Sequence, residues 1–186
     1  MNSGKENVKM LYSKGNHLIE SGRFDEALAC FDKAIEIDDR NSMIWNLKGF
    51  ALYGLGRLEE ALACFDKAIE IGDRNAKAWY NKGVVLLEMN RLEEALACFD
   101  KAIEIDDRDA GVWNNKGVAL YRMRRFEDAL ACFDRALKMN PRDAKVWRNK
   151  GNVLVELGML NEAVKCFNRA IEVDVDVEVD TQIGGI

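Results

Sequence analysis

The sequence predicts an all-α fold, a solenoid of five helix-turn-helix units, and two observations lead to this prediction. First, the string EALACFDKAIEI begins at Glu26 and returns at Glu60 and at Glu94, so the chain repeats itself every 34 residues. Second, the apolar residues of each unit follow the spacing of an α-helix twice, with a turn signal between the two runs. A fixed period of this length is the signature of a repeat array.

Five units account for most of the 186 residues. Diverged copies of the repeated string begin at Asp128 and Glu162, and the period then divides the chain into 8–41, 42–75, 76–109, 110–143 and 144–177. We therefore predict a single domain over 1–177, which leaves few residues for a separate catalytic domain. The remaining residues, 178–186, are predicted to form a flexible acidic and valine-containing tail.

The first helix of each unit has a clear start signal. Asn41, Asn75, Asp109 and Asp143 stand at the unit boundaries, and their side chains can accept hydrogen bonds from the free N–H groups of a helix start. Within unit 42–75, this helix presents its apolar residues at helical spacing, namely Trp45, Leu52 and Leu55.

A short turn separates the first helix from the second. Gly56 suits a helix end that needs left-handed backbone, and Gly22, Asn90 and Gly158 occupy the same place, with Arg124 as the exception. The second helix of unit 42–75 then carries a longer apolar stripe, namely Leu58, Ala61, Leu62, Phe65, Ala68 and Ile69. Because the turn is short, the two helices are predicted to be antiparallel.

The pattern changes after Val173. Val173, Val175, Val177 and Val179 alternate with acidic residues, which is the period of a strand and not of a helix. We therefore expect an extended, acidic segment here, either flexible or lying in the groove of a second copy.

Composition and charge exclude several classes of function. The net charge is −5 and the isoelectric point is near 5.1, whereas binding to nucleic acid or anionic membrane needs clustered Lys and Arg. No apolar run is long enough to span a membrane, and the first residues lack the apolar core of a signal peptide. The sequence thus predicts a cytoplasmic protein with no nucleic-acid partner and no membrane insertion.

The sequence offers no candidate catalytic or metal site. Five cysteines recur once per unit, at Cys30, Cys64, Cys98, Cys132 and Cys166, and we interpret them as small packing residues with free thiols. His17 is the only histidine and stands where the other units have Ala or Val. Without a nucleophile, a ligand set or a phosphate loop, we predict a noncatalytic protein that uses no cofactor and no metal.

Seven positions of the repeat carry a resemblance to a known family. In unit 42–75 they are Trp45, Gly49, Leu52, Gly56, Ala61, Phe65 and Ala68, and the other units keep most of them. With the 34-residue period, this pattern resembles the tetratricopeptide repeat family. The chain departs from the family in two ways: Pro141 alone holds the usual proline after the second helix, and a lysine precedes each glycine. We interpret these lysines as a solvated structural ladder, with a track for an acidic ligand as the alternative.

The resemblance implies a right-handed superhelix whose first helices line a concave groove. On that basis the second, fifth, ninth, twelfth and thirteenth places of each unit face a ligand. The candidate partner-binding residues are Tyr12, Asn16, Asn46, Phe50, Tyr53, Lys77, Tyr80, Val84, Leu87, Asn114, Val118, Tyr121, Arg122, Lys145, Arg148 and Asn152. Several are too apolar for a plain solvated face, and apolar anchors with a polar rim are typical of a protein-binding surface.

The sequence thus predicts an adaptor or assembly scaffold that binds a peptide or helix of another protein. Asn46, Tyr80 and Asn114 are candidates to hydrogen-bond the main chain of such a peptide, unless these side chains simply pack between repeats. A chaperone-binding carboxylate clamp is disfavoured, because Tyr12 and Leu47 replace the residues that it needs. The alternative function is a self-assembling structural protein that stacks through uncapped terminal repeats or exchanges its tail.

Overall fold

The computed structural model describes residues 2–183, with side chains from residue 4 to residue 175. Over this part of the chain it contains ten α-helices and no strand. They are α1 (Asn2–Glu20), α2 (Phe24–Ile37), α3 (Ser42–Gly54), α4 (Leu58–Ile71), α5 (Ala76–Glu88), α6 (Leu92–Ile105), α7 (Ala110–Arg122), α8 (Phe126–Met139), α9 (Ala144–Glu156) and α10 (Leu160–Ile183). The all-α fold is confirmed, and the ten helices match five helix-turn-helix units.

The chain divides into two compact units between Ile105 and Asp106, each larger than a single repeat. We call them the first unit and the second unit, and we keep the residue ranges for the five repeats. The first unit contains α1–α6 and the second contains α7–α10. Within each unit the odd-numbered helix packs on the even-numbered helix that follows it, and consecutive pairs also touch, as α4 touches α5 and α8 touches α9. The domain boundaries drawn from the sequence remain a prediction.

The first helices begin where the sequence predicts. The side chain of Asn75 accepts a hydrogen bond from the N–H of Ala78 at 3.0 Å, and Asp143 does the same for Val146 at 3.1 Å. Asn41 and Asp109 cap α3 and α7 in the same way. These contacts satisfy N–H groups that have no partner within the helix, so they fix where each repeat starts.

The turns between paired helices need left-handed backbone in every unit. Gly22, Gly56, Asn90 and Gly158 have φ values between 59° and 73°, as their residue types predict. Arg124, the exception in the sequence, nevertheless has φ of 61°. Tertiary packing therefore imposes the conformation on a residue that carries an unfavourable Cβ there.

We expect Arg124→Gly to be more stable than Arg124→Ala by about 1 kcal/mol, because only glycine adopts this φ without strain. Both variants lose the contact between the Arg124 guanidinium and the Phe126 ring at 5.4 Å, so the comparison isolates the backbone contribution. Chemical denaturation followed by circular dichroism measures the difference. Equal stability of the two variants would contradict the interpretation.

A contact between glycine and phenylalanine repeats in the core. The rings of Phe31, Phe65, Phe99 and Phe133 on the second helices are completely or almost completely buried. Each ring lies against a glycine of the first helix, as Phe65 lies against Gly49. The absence of a Cβ lets the two helices approach, and the ring fills the space between them.

The tryptophans of the first helices hydrogen-bond to the loop that precedes each of these helices. The Trp45 indole N–H donates to the carbonyl of Asp39 at 2.8 Å, and Trp79, Trp113 and Trp147 donate to the carbonyl six residues earlier in the same way. The polar end of each half-buried indole is thereby satisfied while its rings pack between helices.

The prediction of an extended segment after Val173 is wrong up to Ile183. Helix α10 continues to Ile183, whereas α2, α4, α6 and α8 each end after 14 residues. Val173 is buried against Ala144, Ala170 and Trp147, so packing on α9 holds the helix at the point where the alternation begins. Adding residues to an existing helix is easy compared with starting one, which outweighs the strand preference of valine. Residues 184–186 of the predicted tail lie outside the described residues.

Candidate functional site

Four residues at predicted ligand-facing places of the first unit line one cleft. Tyr12 of α1, Met43 and Asn46 of α3, and Lys77 of α5 surround a space of about 490 Å³. The loop between α2 and α3 closes one side with Asp38, Arg40 and Asn41. Three successive first helices therefore contribute to one concave surface. We call it the α1–α3–α5 cleft.

A second cleft of about 700 Å³ adjoins the first and shares Tyr12 and Met43 with it. Lys9 of α1 lines it, together with Val8 and Ile37. The sequence analysis missed Ile37, because all candidate residues were chosen from the first helices and Ile37 ends the second helix α2. In the structure Ile37 is exposed beside the cleft, and no sequence signal separates it from its counterparts Ile71 and Ile105.

Apolar surface continues along α3. Phe50 is 38 % exposed and Met43 is 55 % exposed, so both present apolar surface outside the core. The Phe50 ring lies 6.5 Å from that of Tyr53 on the same helix. Burial, and after it the Glu88 carboxylate of α5, raise the pKa of Tyr53. Asn16 of α1 is half-buried.

Other predicted binding residues of the first unit are buried or contact side chains of neighbouring helices. Asn46 is only 6 % exposed, and its side-chain oxygen accepts a hydrogen bond from the Asn81 amide at 3.0 Å. Leu87 is buried, Val84 is half-buried, and the Tyr80 ring packs 6.3 Å from Phe99. At these positions the contacts favour the alternative that the side chains pack between repeats.

The second unit shows the same asparagine contact. Asn114 of α7 is 6 % exposed and accepts a hydrogen bond from Asn149 of α9 at 2.9 Å. The spacing of 35 residues equals that of Asn46 and Asn81. The paired asparagines therefore join successive first helices in both units, which agrees with the alternative of packing between repeats.

The remaining candidates of the second unit are spread over α7 and α9. Val118 and Tyr121 are half-buried, with the Tyr121 ring 5.9 Å from Phe126. Arg148 forms an ion pair with Asp174 at 2.7 Å. Arg122, Lys145 and Asn152 are exposed.

The lysines that precede the glycines form a structural ladder. Lys48 pairs with Asp32 of the preceding second helix at 2.7 Å, and Lys82 and Lys150 pair with Asp66 and Asp134 in the same way. Each of these ammonium groups also lies 5.5 to 5.9 Å from the centre of a tryptophan ring. The contacts support the structural interpretation over a track for an acidic ligand.

The side chains best suited to metal binding or nucleophilic chemistry are the five cysteines and His17. The thiols of Cys30, Cys64, Cys98, Cys132 and Cys166 are free and buried, as the sequence predicts. His17 is exposed beside Glu20, with Nδ1 at 3.8 Å from the carboxylate. Between residues 4 and 175 no His, Cys, Asp and Glu side chains gather in a group that could hold a metal ion. None of the described helices has the length and apolar character of a membrane span.

We expect Cys64 and Cys98 to react slowly with alkylating reagents. Burial raises the pKa of both thiols to about 11 from 9.0, although Lys48 and Lys82 oppose the shift. Because the thiolate is the nucleophile, the reactive fraction near pH 8 falls about a hundredfold. Iodoacetamide labelling followed by mass spectrometry should show slow modification of the native protein, faster as the pH rises, and rapid modification in denaturant. Rapid labelling of the native protein near pH 8 would contradict the burial.

Comparison with protein families assigns nearly the whole repeat region. A family model described as tetratricopeptide repeat matches residues 76–109, and a second model with the same description matches residues 12–75 and 114–174. The comparison with curated proteins found no match.

Comparison with solved structures shows the same fold at low sequence identity. MamA from Desulfovibrio magneticus RS-1 is 21 % identical over 91 % of this chain and 96 % of its own, with a TM-score of 0.82. PilF from Pseudomonas aeruginosa is 20 % identical over 92 % of this chain and 78 % of its own, with a TM-score of 0.85. YrrB, described as a TPR protein with an unusual peptide-binding site, is 23 % identical over 92 % and 89 %, with a TM-score of 0.72.

Proposed function

Because this chain belongs to the tetratricopeptide repeat family, we propose that it is a noncatalytic adaptor or scaffold that binds a peptide or helix of another protein. The α1–α3–α5 cleft is the observation that carries the proposal. The peptide-binding site in the description of YrrB supports it by analogy, since the two proteins share a fold. The buried free thiols favour a reducing, cytoplasmic location.

The cleft and the space beside it combine apolar anchors with cations. Tyr12, Met43 and Ile37 supply the apolar surface. Lys5, Lys9, Arg40 and Lys77 line the two spaces, against Asp38 as the acidic residue among the lining side chains described. A matching ligand presents a bulky apolar side chain flanked by Asp or Glu. We therefore propose an acidic segment with one or two apolar anchors.

Burial narrows the set of binding residues. Exposed or half-buried residues can contact a ligand without rearrangement, which favours Tyr12, Met43, Phe50 and Lys77. Asn46 and Leu87 are too buried to offer more than a small part of their surface. We assign them a supporting role in holding α3 and α5 in place.

Selection from a random peptide library on the immobilised protein tests the proposal. We expect the selected peptides to be rich in Asp and Glu around an aromatic or aliphatic residue. In fluorescence anisotropy, Tyr12→Ala combined with Met43→Ala should weaken their binding at least about tenfold, a loss of about 1.4 kcal/mol. Lys9→Ala combined with Lys77→Ala should weaken it less and reduce its dependence on salt.

A matched control also removes two positive charges, but from the second helices α4 and α6. Lys67→Ala combined with Lys101→Ala changes exposed lysines that pair with Glu70 and Glu104 of their own helices, so it should leave peptide binding unchanged. Circular dichroism confirms that every variant is folded. The proposal fails if no peptide is selected, or if the control variant weakens binding as much as Tyr12→Ala with Met43→Ala.

A further inference from the structure

The last part of α10 extends beyond the length of the other second helices. Helices α2, α4, α6 and α8 have 14 residues each, whereas α10 has 24 and ends at Ile183. The ten extra residues add about 15 Å of helix. Val173 is buried against α9, whereas Val175, two residues later, is 52 % exposed. We call residues 175–183 the α10 extension.

The α10 extension combines apolar and acidic residues, and its sequence contains no lysine or arginine. It reads VDVEVDTQI, with Asp176, Glu178 and Asp180 as the charged residues. The helical spacing of four places positions 175, 179 and 183, which hold Val, Val and Ile, along one side of the helix. Positions 176 and 178 follow at the two borders of that side. The extension thus offers a row of apolar positions with acidic positions beside it.

Other acidic groups of the second helices already have cationic partners. The first turns of α2, α4 and α6 each contain a glutamate that accepts two hydrogen bonds from the arginine three residues earlier, as Glu60 does. Arg169 is the last basic residue in the sequence, and it pairs with Glu172 at 2.8 Å. Arg148 pairs with Asp174 at 2.7 Å. The α10 extension therefore differs from the rest of the acidic surface, because it carries three acids without a cation in the same segment.

The α1–α3–α5 cleft and the space beside it have the opposite charge. Their lining residues include four cations and, among the described side chains, one acid, namely Lys5, Lys9, Arg40, Lys77 and Asp38. Helices bind in apolar grooves through anchors three or four residues apart, and complementary charges select the partner. The chain thus contains a segment with the chemistry that the proposed function assigns to the ligand, an acidic segment with apolar anchors.

We propose that the α10 extension of one copy binds as a helix in the α1–α3–α5 cleft, and in the space beside it, of a second copy. This inference rests on the proposed function, because it uses the same cleft, and it names a second copy of this chain as an occupant. Each copy has one cleft and one extension, so association either closes into a reciprocal dimer or continues into a longer row of copies. A bound extension excludes other ligands, so self-association and partner binding compete.

Analytical ultracentrifugation of two variants, alone and mixed, tests the proposal. The cleft variant carries Tyr12→Ala and Met43→Ala and keeps its extension. The extension variant carries Asp176→Asn, Glu178→Gln and Asp180→Asn and keeps its cleft. We expect the unchanged chain to associate as its concentration rises, and each variant alone to associate at least about tenfold more weakly. The mixture should form a heterodimer that grows no further, because it offers one intact cleft and one intact extension.

The control for charge removes three acids from other second helices. Glu59→Gln, Glu93→Gln and Glu127→Gln change exposed residues of α4, α6 and α8, so together they should leave self-association unchanged. Circular dichroism confirms that each variant is folded. Three results would overturn the proposal: an unchanged chain that is monomeric at every concentration, a mixture that forms no heterodimer, or a control that associates as weakly as the extension variant.

Peptide binding separates this inference from the proposed function. The extension variant, whose cleft is intact, is titrated against a selected acidic peptide in fluorescence anisotropy. If the peptide binds while the unchanged chain stays monomeric, the inference fails and the proposed function stands. If no peptide is selected or bound although the mixture forms the heterodimer, the inference stands and the proposed binding of another protein fails.

Discussion

Replacing Phe65 with alanine is expected to lower the free energy of unfolding by about 3–5 kcal/mol, the usual loss for a fully buried aromatic ring. The Phe65 ring is completely buried between α3 and α4, and its edge lies against Gly49. Helix α3 cannot collapse into the space that the ring leaves, because Ile44 and Leu52 on both sides already pack in the core. A cavity therefore remains, and its cost adds to the lost transfer free energy.

Urea denaturation followed by circular dichroism measures this loss. Phe50→Ala removes the same ring from a partly exposed place on α3 and should cost less than about 1 kcal/mol. Repeat arrays do not always unfold in one step, so the slope of the transition is compared between variants as well as its midpoint. A similar loss for the two variants would contradict the assignment of Phe65 to the core.

Gly83→Leu is expected to destabilise the protein by about 2–3 kcal/mol through overpacking. A Cβ on Gly83 would lie 2.6 Å from Cε1 of the Phe99 ring, a distance that real Cβ atoms do not reach. Leucine favours a helix over glycine by somewhat less than 1 kcal/mol, which does not offset the clash. The ring cannot move away, because Phe99 is completely buried.

A double variant separates the clash from other effects of the substitution. In Gly83→Leu combined with Phe99→Ala, the new side chain can enter the space left by the ring, so total volume changes little. We expect the loss of the double variant to be at least about 1 kcal/mol smaller than the sum of the two single losses. Denaturation of the unchanged protein, the two single variants and the double variant gives the double-mutant cycle. If the two losses simply add, the contact between Gly83 and Phe99 is not the cause of the destabilisation.

The architecture could be predicted because the same pattern of residues recurs in each repeat. Asn75 and Asp143 cap helices where the period places a boundary, and the contact between Gly49 and Phe65 needs nothing beyond a small and a large residue at fixed spacing. Arg124 illustrates the limit: its type disfavours left-handed backbone, and only the position of the turn indicates it.

The candidate site was less predictable. A position in the repeat tells which side of a helix a residue occupies, but it does not tell whether the next helix already fills that side. Asn46 therefore looked like a ligand contact, although Asn81 of the next first helix binds it. Ile37 was missed because it lies on a second helix, whereas all candidate residues were chosen from the first helices.

The prediction of an extended segment at the end of α10 was wrong for a physical reason as well. Alternating valine and acidic residues favour an extended chain locally, but Val173 is anchored against α9 and the helix propagates from there. Periodicity over a few residues cannot include the effect of a helix already in place.

Hydrogen exchange measured by mass spectrometry, with and without a selected peptide, tests the central claim most directly. If the first helices of the first unit bind the partner, exchange should slow in α1, the start of α3 and the start of α5, which contribute Tyr12, Met43 and Lys77. The second helices α2, α4 and α6 should change little away from the loop that carries Asp38 and Arg40. Protection confined to the second helices or to α10 would contradict the account.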